Sequence, residues 1–209
     1  MTMELRKLEH LYAALKSCEF LIVTCGNVLD YFMPQLSAEY EVGPAVAPKF
    51  LAISSNEDII LRSHLTGKLK EAGAVFRVGR YVEVGQAVDS LYAAIRAINP
   101  SAVLLLTLSP VPIDSAIGLR QKLSAVEIDC ISKSMLRVAL QELMEKHASD
   151  AKLFYFPSFE IVRWVGACMN GAIFGGEDAA SRHVSQTILN GVYDYFIHKF
   201  VKTMPEKKG

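Results

Sequence analysis

Leu5, Leu8, Leu11, Tyr12 and Leu15 fall on one stripe at helical spacing, which predicts a helix over residues 3–17. The pattern then changes to a continuous apolar run, "EFLIVTCGN" (19–27), with a β-branched centre and a Gly-Asn end. A run of that kind reads as a strand of a parallel sheet, buried on both faces, with its turn after it. Residues 33–48 are punctuated by Pro and Gly and read as a loop. "KFLAIS" (49–54) reads as a short strand, and "SSNEDIILRSHLTGKLKEAG" (54–73) as a helix capped by Ser55 or Asn56 and ended by Gly73.

Val88, Leu91, Tyr92, Ile95 and Ile98 predict a helix over 84–98, stopped at Asn99-Pro100 because proline disfavours helical geometry in the residue before it. "AVLLLTL" (102–108) is the strongest strand pattern in the chain, and it runs into "SPVPID". A long helix over 126–147, a strand at "KLFYF" (152–156), a short turn or helix at 158–165, a Gly-rich loop at 166–176 and a closing helix at 185–201 complete the pattern. Strands alternating with helices of this length predict an α/β fold with a parallel sheet covered on both faces. With no repeat and no change of composition, residues 1–209 read as one domain.

Composition narrows the classes without choosing among them. Apolar residues are 51% of the 209 and charged residues 21%, which is globular rather than disordered. Lys plus Arg and Asp plus Glu both number 22, so no net field draws the chain to nucleic acid or an anionic membrane. The amphipathic start is no secretory signal, and "AVLLLTLSPVPI" is too short and too proline-broken to span a bilayer. A soluble cytoplasmic protein is therefore expected. Cys18, Cys25, Cys130 and Cys168 have no metal-ligand spacing and read as buried reduced thiols; no metal and no cofactor are expected. "TGK" at 66–68 lacks the upstream glycine of a phosphate loop, and "GACMNGAIFGG" follows no convincing strand, so no nucleotide site is expected.

Parallel sheets bind ligands beyond the carboxyl ends of their strands, here Gly26-Asn27, Ser109-Pro110 and Pro157-Ser158. Four segments occur in order: "TLSPVP" (107–112), "ISKSMLR" (131–137), "YFPSFEIV" (155–162) and "SRHVS" (181–185). This ordered set resembles the bacterial GSCFA domain family, a relative of the SGNH hydrolases, and "FLIVTCGN" resembles its Thr-Leu-Gly strand end. The resemblance implies a three-layer α/β/α sandwich and hydrolase-like chemistry on acyl esters, often of carbohydrates. By position it implies His183 as base, Asp178 or Glu177 as its orienting acid, and Gly26 with Asn27 as the oxyanion edge, with Ser109 beside the pocket. Lys133 and Arg137, beside Ser132, would greet an anionic substituent or form a solvated face. Arg163 and Trp164 would make a sugar-stacking platform, or Trp164 would belong to the core or to an interface. His183 has a structural alternative, capping the last helix through a bond to Asp178.

Departures from the family pattern weigh on the activity. The 209 residues contain no Gly-Ser-Cys-Phe-Ala, no Gly-Asp-Ser and no Gly-x-Ser-x-Gly. Ser17 in "KSCEF" precedes a strand and would lie at the wrong edge of the sheet. The acid expected three residues before His183 is replaced by Ala180, and "NVLDYF", with Asp30, stands where the family carries Thr-Glu-x-Trp. Losing the serine of a triad costs on the order of a millionfold in turnover. The expectation is an SGNH-like fold lacking its first, nucleophile-bearing strand. Such a protein would be a non-catalytic binder of a carbohydrate or acyl ligand, or an assembly partner. The alternative is an esterase or acyltransferase whose serine comes from a partner chain or another position. The missing strand would leave "FLIVT" at an open edge, closed by "KFLAIS", by a second copy in a homodimer, or by another chain.

Overall fold

The computed structural model describes residues 3–32, 50–51, 71, 73, 75–113, 119–175 and 182–201. The expected loop at 33–48, nearly all of the expected helix at 54–73, and Glu177, Asp178 and Ala180 lie outside these residues. The contacts sort into two compact units: Met1–Gly26, Ile95–Pro112 and Met144–Gly209 form one, and Asn27–Ala94 with Ile113–Leu143 form the other.

The first unit is built on a parallel sheet of β1 (Phe20–Cys25), β5 (Val103–Leu108) and β6 (Leu153–Phe156), in the order β1-β5-β6. Registers run Phe20↔Val103 to Cys25↔Leu108 and Leu104↔Leu153 to Thr107↔Phe156. β5 is central, and Leu104, Leu105, Leu106 and Leu108 are essentially closed to solvent, as the unbroken apolar run predicts. Each such leucine contributes about 1.5–3 kcal/mol of burial. Helix α1 (Met3–Ser17) precedes the sheet. Asn99 fastens its end: the Asn99 amide donates to the carbonyls of Leu15 and Cys18, at 2.8 and 2.9 Å, while its oxygen accepts from the Ser101 and Ala102 amides.

One face of this sheet carries Leu105 and Phe156, packed with Val162 and with Ile188 and Val192 of the closing helix (Gln186–Phe196). A π-helical turn, Ile197–Val201, extends that helix and brings Phe200 within 6.0 Å of Phe156, edge to face. Phe196 meets Phe156 at 5.4 Å in the same way. The pattern-based limits of 185–201 therefore describe one continuous helical segment. Residues 158–168, expected as a short turn or helix over 158–165 and then loop, are an α-turn (Ser158–Glu160), a π-turn (Ile161–Val165) and a 3-10 turn (Gly166–Cys168).

The second unit contains an antiparallel sheet in the order β3-β2-β4: β2 (Leu29–Phe32), β3 (Phe50–Leu51) and β4 (Val75–Val78). Neither β2 nor β4 has the length or the alternation that marks a strand in sequence, so the pattern predicts only the parallel sheet. β3 falls in "KFLAIS" and pairs Phe50 with Phe32 and Leu51 with Tyr31. It does not close the β1 edge; among the described residues β1 has β5 as its single strand partner.

Helix α2 (Tyr81–Ile98) begins three residues before the apolar pattern does, because Glu83 organises its first turn. The Glu83 carboxylate accepts the Arg80 amide at 2.8 Å and a two-pronged bond from Arg77 of β4 at 2.8 and 2.9 Å. Helix α3 (Ala125–Lys146) starts at a reciprocal box: the Ser124 amide donates to Glu127 at 2.7 Å and the Glu127 amide donates to the Ser124 hydroxyl at 3.3 Å. The chain is thus of the α/β class, with a parallel sheet flanked by helices. No helix among the described residues is long and apolar enough to cross a membrane.

Candidate functional site

Because β1, β5 and β6 are parallel, the residues after them share one edge of the first unit's sheet: Gly26, Ser109 and Ser158. The Ser109 amide donates to the Cys25 carbonyl at 2.8 Å, so the ends of β1 and β5 are locked together. Gly26 is exposed, and a methyl group built on it would meet nothing within 4 Å among the described residues. Burial raises the Cys25 thiol above its ordinary pKa, so it is a poor nucleophile there.

The hydroxyls on this edge are committed to structure. Ser158 Oγ donates to the Leu108 carbonyl at 2.9 Å, which leaves it to accept from buried Thr107 Oγ1 at 2.6 Å. Ser109 Oγ accepts the Val111 amide at 3.3 Å and shapes the turn that carries Pro110 and Pro112. Among the described residues, neither serine has an imidazole as a hydrogen-bond partner. The Thr107–Ser158 pair went unread in the sequence because it joins two strands; two hydroxyls at the carboxyl ends of two predicted strands were its only sign. Ser17, at the end of α1, donates back to the Ala13 carbonyl at 3.1 Å, on the amino side of β1 as its position implies.

His183 sits on one arm of a small hairpin in the same unit. The Gly175 amide donates to the His183 carbonyl and the Ser185 amide to the Ile173 carbonyl, both at 2.9 Å, with Phe174 and Val184 bridged between them. Gly175 has φ of 76°, a left-handed conformation that glycine adopts without strain. Ile173, Phe174 and Val184 pack against the core cluster, while His183 itself is exposed. The acid partners expected for it, Glu177 and Asp178, lie outside the described residues.

Arg163 ties this hairpin to the strand ends. Its Nε donates to the Pro110 carbonyl at 2.9 Å, and its guanidinium lies 5.1 Å from the centre of the Phe174 ring and 5.8 Å from that of Phe159. The next residue, Trp164, is 68% exposed, with Val165 and Met169 also open to solvent. Trp164 is therefore not a core residue of this unit.

The remaining candidates belong to the second unit. Asn27 and Ser132 are brought together on one stretch of backbone: Asn27 Oδ1 accepts the Leu29 amide at 2.9 Å and Ser132 Oγ accepts the Val28 amide at 2.8 Å. Ser132 is fully buried and is a structural anchor. Asn27 keeps its side-chain N–H groups without a hydrogen-bond partner among the described residues. Lys133 is only 3% exposed, which corrects the solvated-face reading. On α3 it falls between Asp129, which accepts the Ile113 amide at 3.0 Å, and buried Leu136, so helical spacing turns it inward. Arg137 is half-buried and donates to Gln141 at 3.2 Å. Among the described residues, no three His, Cys, Asp or Glu side chains gather as a metal site.

A parallel α/β sheet with Gly26, a Ser-Pro-Val-Pro turn, a Pro-Ser-Phe-Glu turn and a late histidine hairpin at one edge defines a recognisable class of protein. The chain belongs to the GSCFA family, whose model matches residues 2–196. Neither a curated protein nor a solved structure matches it.

Proposed function

We propose that this chain is a non-catalytic, SGNH-like member of the GSCFA family that binds a carbohydrate or acyl ligand at the carboxyl edge of its parallel sheet. The observation that carries this reading is the state of the serines on that edge: among the described residues, Ser109 and Ser158 bond to backbone and Thr107 and not to a histidine. Triad chemistry needs a hydroxyl whose proton passes to an imidazole, and among the described residues no imidazole is bonded to either serine. Trp164, exposed beside Arg163, supplies the flat apolar surface on which a sugar ring stacks. Gly26, exposed at the end of β1, suits the approach of an acyl oxygen to that edge.

A second reading rests on the hairpin itself. His183 is held on a built, hydrogen-bonded arm, which favours an acyl-ester hydrolase or acyltransferase whose serine comes from a partner chain or another position. A serine-directed fluorophosphonate, read by intact mass, separates the two. The binding reading expects no labelling and no hydrolysis of an aryl acetate. Labelling that is lost in His183→Ala would overturn it in favour of the enzyme.

The same proposal includes a partner at the β1 edge. The carbonyls of Glu19 and Cys25 both accept from the β5 side, so the backbone groups of Phe20, Ile22 and Thr24 face away from the sheet. An antiparallel pairing of two copies centred on Ile22 sets Phe20 opposite Thr24 and uses all three outward residues at once. No charged side chain occurs between Phe20 and Cys25, so nothing on the strand repels its own copy. We assign this edge to a homodimer.

A further inference from the structure

We propose that Arg163 is the positioning residue of the His183 hairpin, fixing its direction against the carboxyl edge of the parallel sheet. The inference deepens the functional reading above, since it concerns how that same site is held. A two-stranded hairpin is marginal by itself. Here the inner residues, Ile173, Phe174 and Val184, are anchored by apolar packing, which is non-directional. Arg163 adds direction. Its single side chain touches the turn after β5 through the Pro110 carbonyl, the turn after β6 through the Phe159 ring, and the hairpin arm through the Phe174 ring. Phe174 is bridged to Val184, next to His183, so a shift of the guanidinium moves the arm that carries the imidazole. The planar guanidinium suits the task, because it donates in a fixed direction while its face lies on an aromatic ring. Arg163 touches neither a reacting atom nor a ligand in this role.

The test compares Arg163→Met, which keeps the apolar stem, with Arg163→Lys, which keeps the charge. Amide hydrogen exchange at Gly175 and Ser185 reports on the hairpin, and exchange at Leu104, bonded to the Lys152 carbonyl, reports on the sheet. In Arg163→Met the hairpin amides are expected to exchange on the order of tenfold faster or more, from the lost cation–π contact and charged hydrogen bond, with Leu104 unchanged. Arg163→Lys is expected to fall between that variant and the parent, because an ammonium still rests on the Phe174 ring. The ring proton resonances of His183 are expected to move in Arg163→Met while those of His10, His147 and His198 stay. Unchanged hairpin exchange, an acceleration shared equally by Leu104, or a lysine variant no better protected than the methionine variant would overturn the proposal. None of these measurements uses a ligand, so a protein that fails to bind sugar or acyl probes leaves the result readable.

Discussion

Ser185 carries a hydroxyl buried at the start of the closing helix with no hydrogen-bond partner among the described residues. Its backbone has cap geometry, with φ −62° and ψ 150°, but the side chain makes no capping bond. A serine at an N-cap ordinarily stabilises its helix by about 1 kcal/mol, whereas an orphaned buried hydroxyl costs a similar amount. Ser185→Ala is therefore expected to leave the melting temperature unchanged or raise it; a drop of several degrees would reveal a cap bond. Glu83 is the opposite case. Burial by itself would raise its pKa, but the bonds from Arg77, the Arg80 amide and the Arg80 side chain, together with the Arg77 charge, hold it down at about 2. Its folded value is thus below the ordinary carboxylate value of 4.5, so its contribution is complete above that value and is lost as pH falls towards 2. Glu83→Gln is expected to cost about 2 kcal/mol at pH 6, because solvent on the Arg80 side screens part of the cluster. Urea midpoints taken between pH 6 and pH 2 should show the parent converging on the variant as pH falls; a constant gap would argue against the assignment.

At the scale of elements, the apolar pattern located α1, β1, α2, β5, α3, β6 and the closing helix, with boundaries displaced by capping. Glu83 starts α2 early because it bonds a residue outside the helix, and no periodicity count contains that bond. β2 and β4 escaped notice for a related reason. Leu-Asp-Tyr-Phe and Val-Phe-Arg-Val are stabilised as strands by pairing with one another, not by any pattern of their own. Asn99 illustrates how a residue read only as a helix stop joins elements far apart in sequence, the end of α1 and the start of β5. Asn99→Ala would leave the Leu15 and Cys18 carbonyls and the Ala102 amide without these bonds. It is expected to destabilise by about 2–4 kcal/mol, counting roughly 1 kcal/mol or more for each lost bond to a poorly solvated group. Denaturant unfolding checks this, and a loss below about 0.5 kcal/mol would show that water replaces the amide.

At the scale of the whole molecule, β1 is an edge strand among the described residues, and its Ile22 is 51% exposed. If two copies pair there, Ile22→Lys places two ammonium groups side by side at the two-fold axis. Light scattering at matched concentrations is then expected to give the parent as a dimer and the variant as a monomer with an unchanged circular dichroism spectrum. A parent that is monomeric at high micromolar concentration would remove the edge from consideration as an interface. At this scale the chain's sequence alone determined the α/β class, the burial of β5, the three strand ends that carry Gly26, Ser109 and Ser158, and membership of the family through motifs in a fixed order. These are local properties, set by side-chain period, by turn residues and by the spacing of short segments. Only the tertiary structure decided that Ser109 and Ser158 are committed to backbone and Thr107, that Lys133 is buried while Trp164 is exposed, and that Arg163 spans three segments to hold the His183 hairpin. Those depend on which residues meet in the folded chain rather than on any repeating pattern, and such hydrogen bonds and ring contacts leave no periodic trace in the sequence.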